Sequence, residues 1–262
     1  MNLILFDQAF ETIELSGEDS RARHILSVLK IKEGGVFYIG FVNGPRALAK
    51  LVSRNNEGAI KLVVVDMEPA PKCLPIDLLI AVPRPHTAKR ILYEAASIGV
   101  RSLNFFTAQK TEPSYLKSRL WEQGHFKERL HLGAEQSFAT HIPEVLLFKQ
   151  LDSAIEHFSG RDDLIALDNY GAKKSLGQVM QKESKTTSNQ KDLRQCALAF
   201  GPEGGFTDYE RAQLQDKHWF LAHLGPRVLR LETAVLAASA IASEQFKFWE
   251  EPTQSPLSRI YG

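Results

Sequence analysis

The chain has 262 residues, of which 44% are hydrophobic and 24% charged, a composition typical of globular domains rather than of a wholly disordered chain. Its 17 glycines, 12 prolines and only two cysteines exclude collagen-like, low-complexity and disulfide-framework proteins. Lysine plus arginine number 32 against 31 acidic residues, so the global charge carries no nucleic-acid signature.

The chain shows no signal for a membrane. Its longest apolar runs, such as Ile76–Val82, are far shorter than the ~20 residues of a membrane helix. The N-terminal Met1–Phe10 has an acidic residue and no basic one, which is not the pattern of a secretory signal. We therefore expect a reduced, cytoplasmic setting and no membrane partner.

The first 71 residues are predicted to form short strands separated by turn residues. One helical pattern interrupts them, with apolar residues recurring from Ile25 to Ile31 between Ser20 and Gly34. Several short strands with one helix indicate a small β-barrel. The predicted strands are Leu3–Phe6, Val36–Phe41, Ala47–Val52 and Ile60–Val65.

The proline-rich segment from Pro69 to Pro75 predicts a domain boundary, giving domains at 1–71 and 72–262. Beyond it, apolar strands alternate with helices, which indicates an α/β domain with a parallel sheet covered on both faces. The predicted strands are Ile76–Val82, Ser102–Thr107, Leu164–Asp168, Cys196–Phe200 and Trp219–Leu224. The predicted helices are His86–Ser97, Tyr115–Ala139, Ala154–Phe158, Asp208–Gln215 and Glu232–Trp249. Lys173–Gln195 is predicted to be a polar surface excursion, and Pro252–Gly262 a loose tail.

Several common enzyme signatures are absent from the sequence. It contains no GxGxxG, GxxxxGK[ST], HExxH or GxSxG pattern, which disfavours a dinucleotide site, a P-loop, a zinc site and a hydrolase elbow. Cys73 and Cys196 belong to no CxxC pair, and Cys196 reads as a buried small hydrophobe. No metal site is therefore predicted.

The segment Phe200–Thr207, FGPEGGFT, follows a buried-type strand and precedes a helix. Its three glycines let the backbone approach a flat ligand closely, at the strand end where open α/β sheets bind ligands. Thr207 and Glu210 have the spacing of a capping box for the next helix. A tight turn that binds nothing remains the alternative.

A second segment, Leu224–Ala234 or LGPRVLRLETA, has the same setting about 25 residues on. Arg227 and Arg230 lie close in sequence to Glu232, and Thr233 could cap the last helix, which is rich in alanine. Taken alone, the Arg–Glu pair could be a surface ion pair. Two such loops at strand ends predict two walls of one pocket.

These two segments resemble the signatures of the RsmE family, the 16S ribosomal RNA uracil-N3 methyltransferases of the SPOUT class. Members carry GPEGG(F/L)(T/S)xxE and LGxRxLRxETA, and this chain has GPEGGFTDYE and LGPRVLRLETA. Weaker matches are His24–Gly34 to the family's HxxxVLR…G, and Ala134–Glu144 to its AEQ…VPE. The resemblance is strong over the last 65 residues and thin between Pro69 and Gly133.

The resemblance implies an N-terminal PUA-like barrel that helps to hold RNA and a C-terminal SPOUT domain with a deep trefoil knot. It also implies a homodimer, a ribosomal RNA or small-subunit substrate, and S-adenosylmethionine held largely by backbone groups. The cofactor residues carried over by position are Leu167, Gly201, Pro202, Glu203, Gly204, Gly205, Leu224, Gly225, Leu229, Arg230, Leu231, Thr233 and Ala234.

Methylation of uracil N3 needs a group that stabilises negative charge on O2 and O4 and a group that accepts the proton. Arg230 is the predicted stabiliser, since a guanidinium offers charged donors. Glu232 or Glu203 is the predicted proton acceptor, with loop anchoring as the alternative for each.

The RNA contacts are predicted from basic residues. From Arg84 to His131 there are nine Lys or Arg against four Asp or Glu, and charge alone favours a solvated helix face over a phosphate track. The candidate RNA-binding residues are Arg21, Arg23, His24, Lys30, Arg84, Lys89 and Arg90.

The middle of the chain departs from the family pattern. Ser97–Val100 replaces the family's ELGV, and Ala139 and His141 stand where members carry arginines. The leading prediction is a ribosomal RNA methyltransferase. The alternatives are a divergent member acting on another uridine and a non-catalytic RNA-binding assembly factor. A phosphate-binding metabolic enzyme is disfavoured, because the glycine loop lacks a lysine.

Overall fold

The computed structural model describes residues 3–183, 195–245 and 247–249. The described residues divide into two compact units. The first contains residues 3–72 and 134–142, and the second contains residues 73–133 and the described part of 143–251. The units differ from the predicted domains in one segment, residues 134–142, which lies in the first unit.

The first unit is built on a five-stranded mixed sheet in the order β1-β3-β4-β5-β2. Its strands are β1 (Ile4–Phe6), β2 (Thr12–Leu15), β3 (Val36–Phe41), β4 (Arg46–Arg54) and β5 (Ile60–Glu68). β1 pairs with β3 in parallel, and the other pairs are antiparallel. The helical stretch is α1 (Ser20–Arg23), which continues as a π-helix, His24–Val28. Asp19, one residue before the predicted start, caps α1 by accepting the Arg21 N–H at 2.8 Å.

Residues 134–142 join the first unit through backbone hydrogen bonds. Leu3 N–H donates to the Glu135 carbonyl at 3.0 Å, and Asn43 N–H donates to the Thr140 carbonyl at 2.8 Å. Ala134 and Ala139 are buried in a cluster with Leu3, Leu5 and Tyr38. Periodicity cannot reveal this placement, because it depends on contacts with residues about 100 positions earlier in the chain.

The second unit is built on a six-stranded sheet in the order β11-β9-β10-β6-β7-β8, with every pair parallel. Its strands are β6 (Leu74–Ala81), β7 (Val100–Phe106), β8 (Glu144–Phe148), β9 (Asp163–Leu167), β10 (Cys196–Phe200) and β11 (Phe220–Ala222). The helices are α2 (Pro85–Ile98), α3 (Arg119–Glu122), α4 (Phe126–Gln136), α5 (Leu151–His157), α6 (Leu176–Glu183), α7 (Asp208–Asp216) and α8 (Leu231–Gln245). β10, with all five residues buried, lies between β9 and β6. The predicted parallel sheet is therefore confirmed.

Several local predictions need correction. The single helix expected over Tyr115–Ala139 is instead a 3₁₀ turn, α3 and α4, broken at Gly124, whose φ is +68°. The segment Lys173–Gln195 was predicted as an excursion, yet it begins with α6, whose Leu176 and Met180 are buried. Residues 184–194 and the predicted tail from Pro252 lie outside the described residues.

Candidate functional site

An open pocket with a cavity volume of about 110 Å³ lies at the carboxyl ends of β9 and β10. This is the edge at which open parallel sheets bind ligands. Three loops form its walls, and they follow β9, β10 and β11. The lining residues are Leu167, Asp168, Asn169, Tyr170, Phe200, Gly201, Pro202, Glu203, Gly205, Leu224, Val228, Leu229, Leu231 and Ala234. The two glycine-containing segments do meet in one pocket.

The loop after β10 is folded tightly on itself. Gly205 has a φ of +68°, which favours glycine, and its N–H donates to the Pro202 carbonyl at 2.8 Å. An added Cβ at Gly201 would lie 2.9 Å from the Phe206 nitrogen, so the turn has no room for a side chain there. The tight turn therefore requires glycine at both positions.

The predicted capping box fixes the end of the same loop. Thr207 N–H donates to Glu210 Oε2 at 2.8 Å, and Glu210 N–H donates to Thr207 Oγ1 at 3.2 Å. Glu210 is buried, and its Oε1 also accepts the Gln109 N–H from the turn after β7 at 2.9 Å. From that turn, Lys110 Nζ donates to the Gly204 carbonyl at 2.8 Å. The glycine loop is thus held both by its own helix and by its neighbour.

The loop after β9 is anchored by a buried carboxylate. Asp168 Oδ1 accepts the N–H groups of Tyr170 and Gly171, and its Oδ2 accepts Arg211 Nη1 at 3.0 Å. Arg211 Nη1 also donates to the Phe206 carbonyl at 2.6 Å, which links two of the three walls. Hydrogen bonds to Asp208 and Asp168 raise the pKa of Arg211 against the opposing effect of desolvation. The link therefore stays charged.

The loop after β11 leads directly into α8. Gly225 has a φ of +102°, and its N–H donates to His223 Nδ1 at 3.1 Å. The expectation that Thr233 caps α8 is wrong, because α8 begins at Leu231 and Thr233 is its third residue. Ala234 N–H already donates to the Arg230 carbonyl at 2.9 Å.

Nine predicted cofactor residues line the pocket: Leu167, Gly201, Pro202, Glu203, Gly205, Leu224, Leu229, Leu231 and Ala234. Gly204, Gly225, Arg230 and Thr233 do not line it. Five further lining residues are not among the predicted cofactor residues, although two of them, Phe200 and Val228, lie in the two predicted segments; the others are Asp168, Asn169 and Tyr170. Asp168 and Phe200 are the last residues of predicted strands, and Asn169 and Tyr170 follow Asp168, so all four could have been predicted as residues at ligand-binding strand ends.

The catalytic candidates differ in their surroundings. Arg230 is exposed just before α8, and Glu232 Oε1 lies 3.4 Å from Arg90 Nη1 of α2. Glu203 lines the pocket and lies 3.9 Å from Arg84 Nε, which also donates to the Tyr115 hydroxyl at 3.1 Å.

The RNA-binding candidates fall into two groups, one in each unit. In the first, Arg21 pairs with Asp19 at 2.7 Å and lies over the Phe6 ring, and its hydrogen bond lowers the pKa of Asp19. Arg23 and Lys30 are exposed and His24 is half-buried. In the second, Arg84, Lys89 and Arg90 are exposed at the start of α2.

The described residues show neither a metal-binding cluster nor a membrane-spanning helix. No group of three or more His, Cys, Asp or Glu side chains within the described ranges could hold a metal ion. No helix in that same part of the chain is long and apolar enough to cross a membrane.

Comparisons with known proteins agree on one family. The model of the RNA methyltransferase domain family matches residues 70–243. The ribosomal RNA small subunit methyltransferase E of Treponema pallidum is 30% identical over 271 residues, which cover 99% of this chain and 97% of the relative. The ribosomal RNA small subunit methyltransferase E 1 of Borreliella burgdorferi is 28% identical over 249 residues, with coverages of 94% and 98%.

The fold also matches solved structures. A ribosomal RNA small subunit methyltransferase E from Neisseria gonorrhoeae, bound to S-adenosyl methionine, superposes with a TM-score of 0.74. It is 20% identical, and the match covers 93% of this chain and 97% of that one. A methyltransferase from Legionella pneumophila in complex with the same cofactor matches with a TM-score of 0.73 at 20% identity, covering 92% and 96%.

Proposed function

The chain belongs to the RsmE family of RNA methyltransferases, and we propose that it transfers a methyl group from S-adenosylmethionine to N3 of a uridine in small-subunit ribosomal RNA. The observation that carries this proposal is the meeting of both signature loops in one pocket. The relatives that share its full length are ribosomal RNA small subunit methyltransferases, which supports the choice of substrate.

The pocket fits the proposed cofactor. Glycine, proline and aliphatic side chains line most of it, so backbone N–H and C=O groups would hold the polar parts of the cofactor. The predicted cofactor residues that line the pocket are the ones we assign to this task.

The chemistry at the site is an in-line methyl transfer. S-adenosylmethionine, when bound, supplies an electrophilic methyl group on a sulfonium sulfur. The loops of the chain hold the reactants in line, which can supply a large part of the rate. We assign Arg230, which does not line the pocket itself but lies between the lining residues Leu229 and Leu231, to stabilise the charge that spreads onto uracil O2 and O4 as N3 loses its proton.

The proton acceptor is a carboxylate of one of the signature loops. Glu232 is half-buried and close to Arg90, whereas Glu203 lines the pocket itself. These positions favour Glu203 as the acceptor and give Glu232 the role of anchoring the start of α8 to α2.

The finer features implied by the family are part of the same proposal. We propose a trefoil knot in the parallel-sheet unit, a PUA-like role in RNA binding for the first unit, and a homodimer. The fold match to the Neisseria structure spans both units of the chain, which supports a shared architecture. A ribosomal RNA substrate supports a cytoplasmic location.

One observation favours a divergent target as the second candidate. Ala139, which stands where family members carry arginine, is 8% exposed and packs in a cluster with Leu3 and Tyr38. A guanidinium in that place would need a partner in the same apolar cluster. Contacts to RNA must therefore come from other residues, and the uridine they select could differ.

Methyl transfer from labelled S-adenosylmethionine to small ribosomal subunits that lack the modification tests the proposal. The expected product is 3-methyluridine in the small-subunit RNA. Label in a different nucleotide would support the divergent target. Binding of S-adenosylhomocysteine without any methyl transfer to ribosomal RNA would contradict the methyltransferase activity and favour the non-catalytic assembly factor.

A further inference from the structure

Two large apolar side chains at the pocket are unusually exposed. Val228 is 82% exposed and Tyr170 is 76% exposed, the two highest values for large apolar or aromatic side chains among the described residues. Both line the same pocket, one on the loop after β11 and the other on the loop after β9. Exposed apolar groups that cluster at a concave site mark a surface that a ligand covers.

Tyr170 is held in place despite its exposure. Its N–H donates to the buried Asp168 at 2.8 Å, and the Arg211 guanidinium lies 6.0 Å from its ring centroid. The ring also adjoins the glycine loop, since an added Cβ at Gly205 would lie 3.1 Å from Tyr170 Cε2. The side chain is thus a pre-positioned aromatic surface at the pocket.

A flat, pre-positioned aromatic ring beside a glycine-lined wall suits another flat ring. Nucleobases stack on tyrosine, and the loss of one such stack to alanine costs about 1–3 kcal/mol. The proposed reaction brings two nucleobases to this pocket, the adenine of the cofactor and the uracil of the RNA.

We propose that Tyr170 is a stacking platform for a nucleobase at this pocket, a role that rests on the proposed function. No signature motif of the sequence contains this residue. The Asp168–Arg211 pair holds Tyr170 next to the glycine loop. Asp168 accepts the Tyr170 N–H, and Arg211 donates both to Asp168 and to the Phe206 carbonyl.

The test uses Tyr170→Ala, Tyr170→Leu and Tyr170→Phe in the full chain, with Tyr209→Ala as the control. Tyr209 is also exposed, at 61%, but it lies on α7 and does not line the pocket. Two dissociation constants are measured for each variant, one for S-adenosylhomocysteine by calorimetry and one for a uridine-containing small-subunit RNA fragment by anisotropy. Thermal unfolding checks that each variant keeps its fold.

We expect Tyr170→Ala to raise one of the two dissociation constants about fivefold to a hundredfold, the range for a lost base stack. A rise for S-adenosylhomocysteine identifies the adenine as the stacked ring, and a rise for RNA identifies the uracil. Tyr170→Phe is expected to stay within about twofold of the wild type, and Tyr170→Leu to lie between Phe and Ala.

The proposal is overturned if Tyr170→Ala leaves both constants unchanged, if Tyr170→Phe is as defective as Tyr170→Ala, or if Tyr209→Ala has the same effect. Both constants are measured without turnover. A wild-type protein that binds but transfers no methyl group would therefore count against the proposed function and not against the platform.

Discussion

A substitution of Arg230 can test the proposed chemistry without destabilising the fold. Its guanidinium is exposed, while its backbone carbonyl accepts the Ala234 N–H that starts α8. Substitution of the side chain leaves that backbone bond intact. The position therefore allows a loss of charge without a loss of structure.

We predict that Arg230→Ala lowers methyl transfer about 100-fold, the usual cost of removing a group that stabilises a developing oxyanion. The affinity for S-adenosylhomocysteine should not change, and the unfolding free energy should shift by no more than about 0.5 kcal/mol. Arg227→Ala, on the same loop, is the matched control. Near-normal turnover of Arg230→Ala would remove this residue from the mechanism.

Asp77 is a buried carboxylate that does not line the pocket, and its contacts stabilise the parallel sheet. It lies on β6 and accepts hydrogen bonds from Arg101 and Ser102 of β7, while Arg161, just before β9, donates at 3.1 Å. Burial alone would raise the pKa of Asp77. The hydrogen bonds from Arg101 and Ser102 and the two arginine charges outweigh burial, so the pKa is lowered.

A folded-state pKa below the unfolded value means that Asp77 stabilises the protein above about pH 3.9 and that this stabilisation is lost as the pH falls through the folded value. We predict that Asp77→Asn lowers the unfolding free energy at pH 7 by about 2–3 kcal/mol, because charged hydrogen bonds are lost. The difference from the wild type should shrink below about pH 4. Denaturant titrations at pH 7, 5 and 3.5 measure it, and a difference independent of pH would contradict this account.

At the scale of elements, the packing of α4 against α2 depends on a glycine inside α4. An added Cβ at Gly133 would lie 2.2 Å from the Tyr93 carbonyl oxygen of α2. Ser97 Oγ lies 3.0 Å from the Gly133 carbonyl and 2.9 Å from the Tyr93 carbonyl, so its one hydroxyl hydrogen is shared between them at the contact of the two helices. The close approach leaves no space for a methyl group.

We predict that Gly133→Ala destabilises the protein by about 1–3 kcal/mol, since overpacking outweighs the gain of about 1 kcal/mol in helix propensity. Gly177→Ala in α6 is the control, because an added Cβ there meets nothing within 4 Å. That variant should be unchanged or slightly more stable. The midpoint of thermal unfolding is measured for both variants and the wild type. A Gly133→Ala protein as stable as the wild type would contradict the predicted steric clash between α4 and α2.

The elements that could be predicted are those whose signal lies within their own residues. β10 is apolar throughout, and Thr207 with Glu210 carries its own cap, so both were found from the sequence. β2 and β8 were missed because each is a short edge strand with exposed residues, which weakens the hydrophobic pattern. The helix α6 was missed because lysines and glutamines conceal a short apolar face.

At the scale of the whole molecule, the two signature loops were predicted to share a pocket because parallel strands end at one edge of a sheet. The order of the strands in that sheet could not be predicted from the sequence. For the loop after β9, the sequence therefore predicted one pocket residue, Leu167, and not the loop as a third wall. Asp168 and Tyr170 lie within three residues of Leu167, yet they belong to no motif, and their role depends on Arg211, more than 40 positions later. Contacts of this range are set by topology rather than by local pattern.

The placement of residues 134–142 bears on whether the chain can be cut after residue 72. These residues belong to the first unit, where Thr140 Oγ1 donates to the Gly44 carbonyl at 2.6 Å and Leu5 N–H donates to Glu135 Oε1 at 3.0 Å. Ala134, Ala139 and Thr140 are buried there. A fragment of residues 73–262 would expose these side chains and leave their hydrogen-bonding groups without partners.

We predict that the 73–262 fragment unfolds at least about 5 °C below the full chain, since each kcal/mol lost lowers the midpoint by about 2–4 °C at this size. Supplying residues 1–72 as a separate polypeptide should restore part of the difference, because it returns the partners of residues 134–142. Scanning calorimetry of the fragment, the reconstituted pair and the full chain measures the effect. A fragment as stable as the full chain, binding S-adenosylhomocysteine equally well, would show instead that the boundary after residue 71 marks two independent domains.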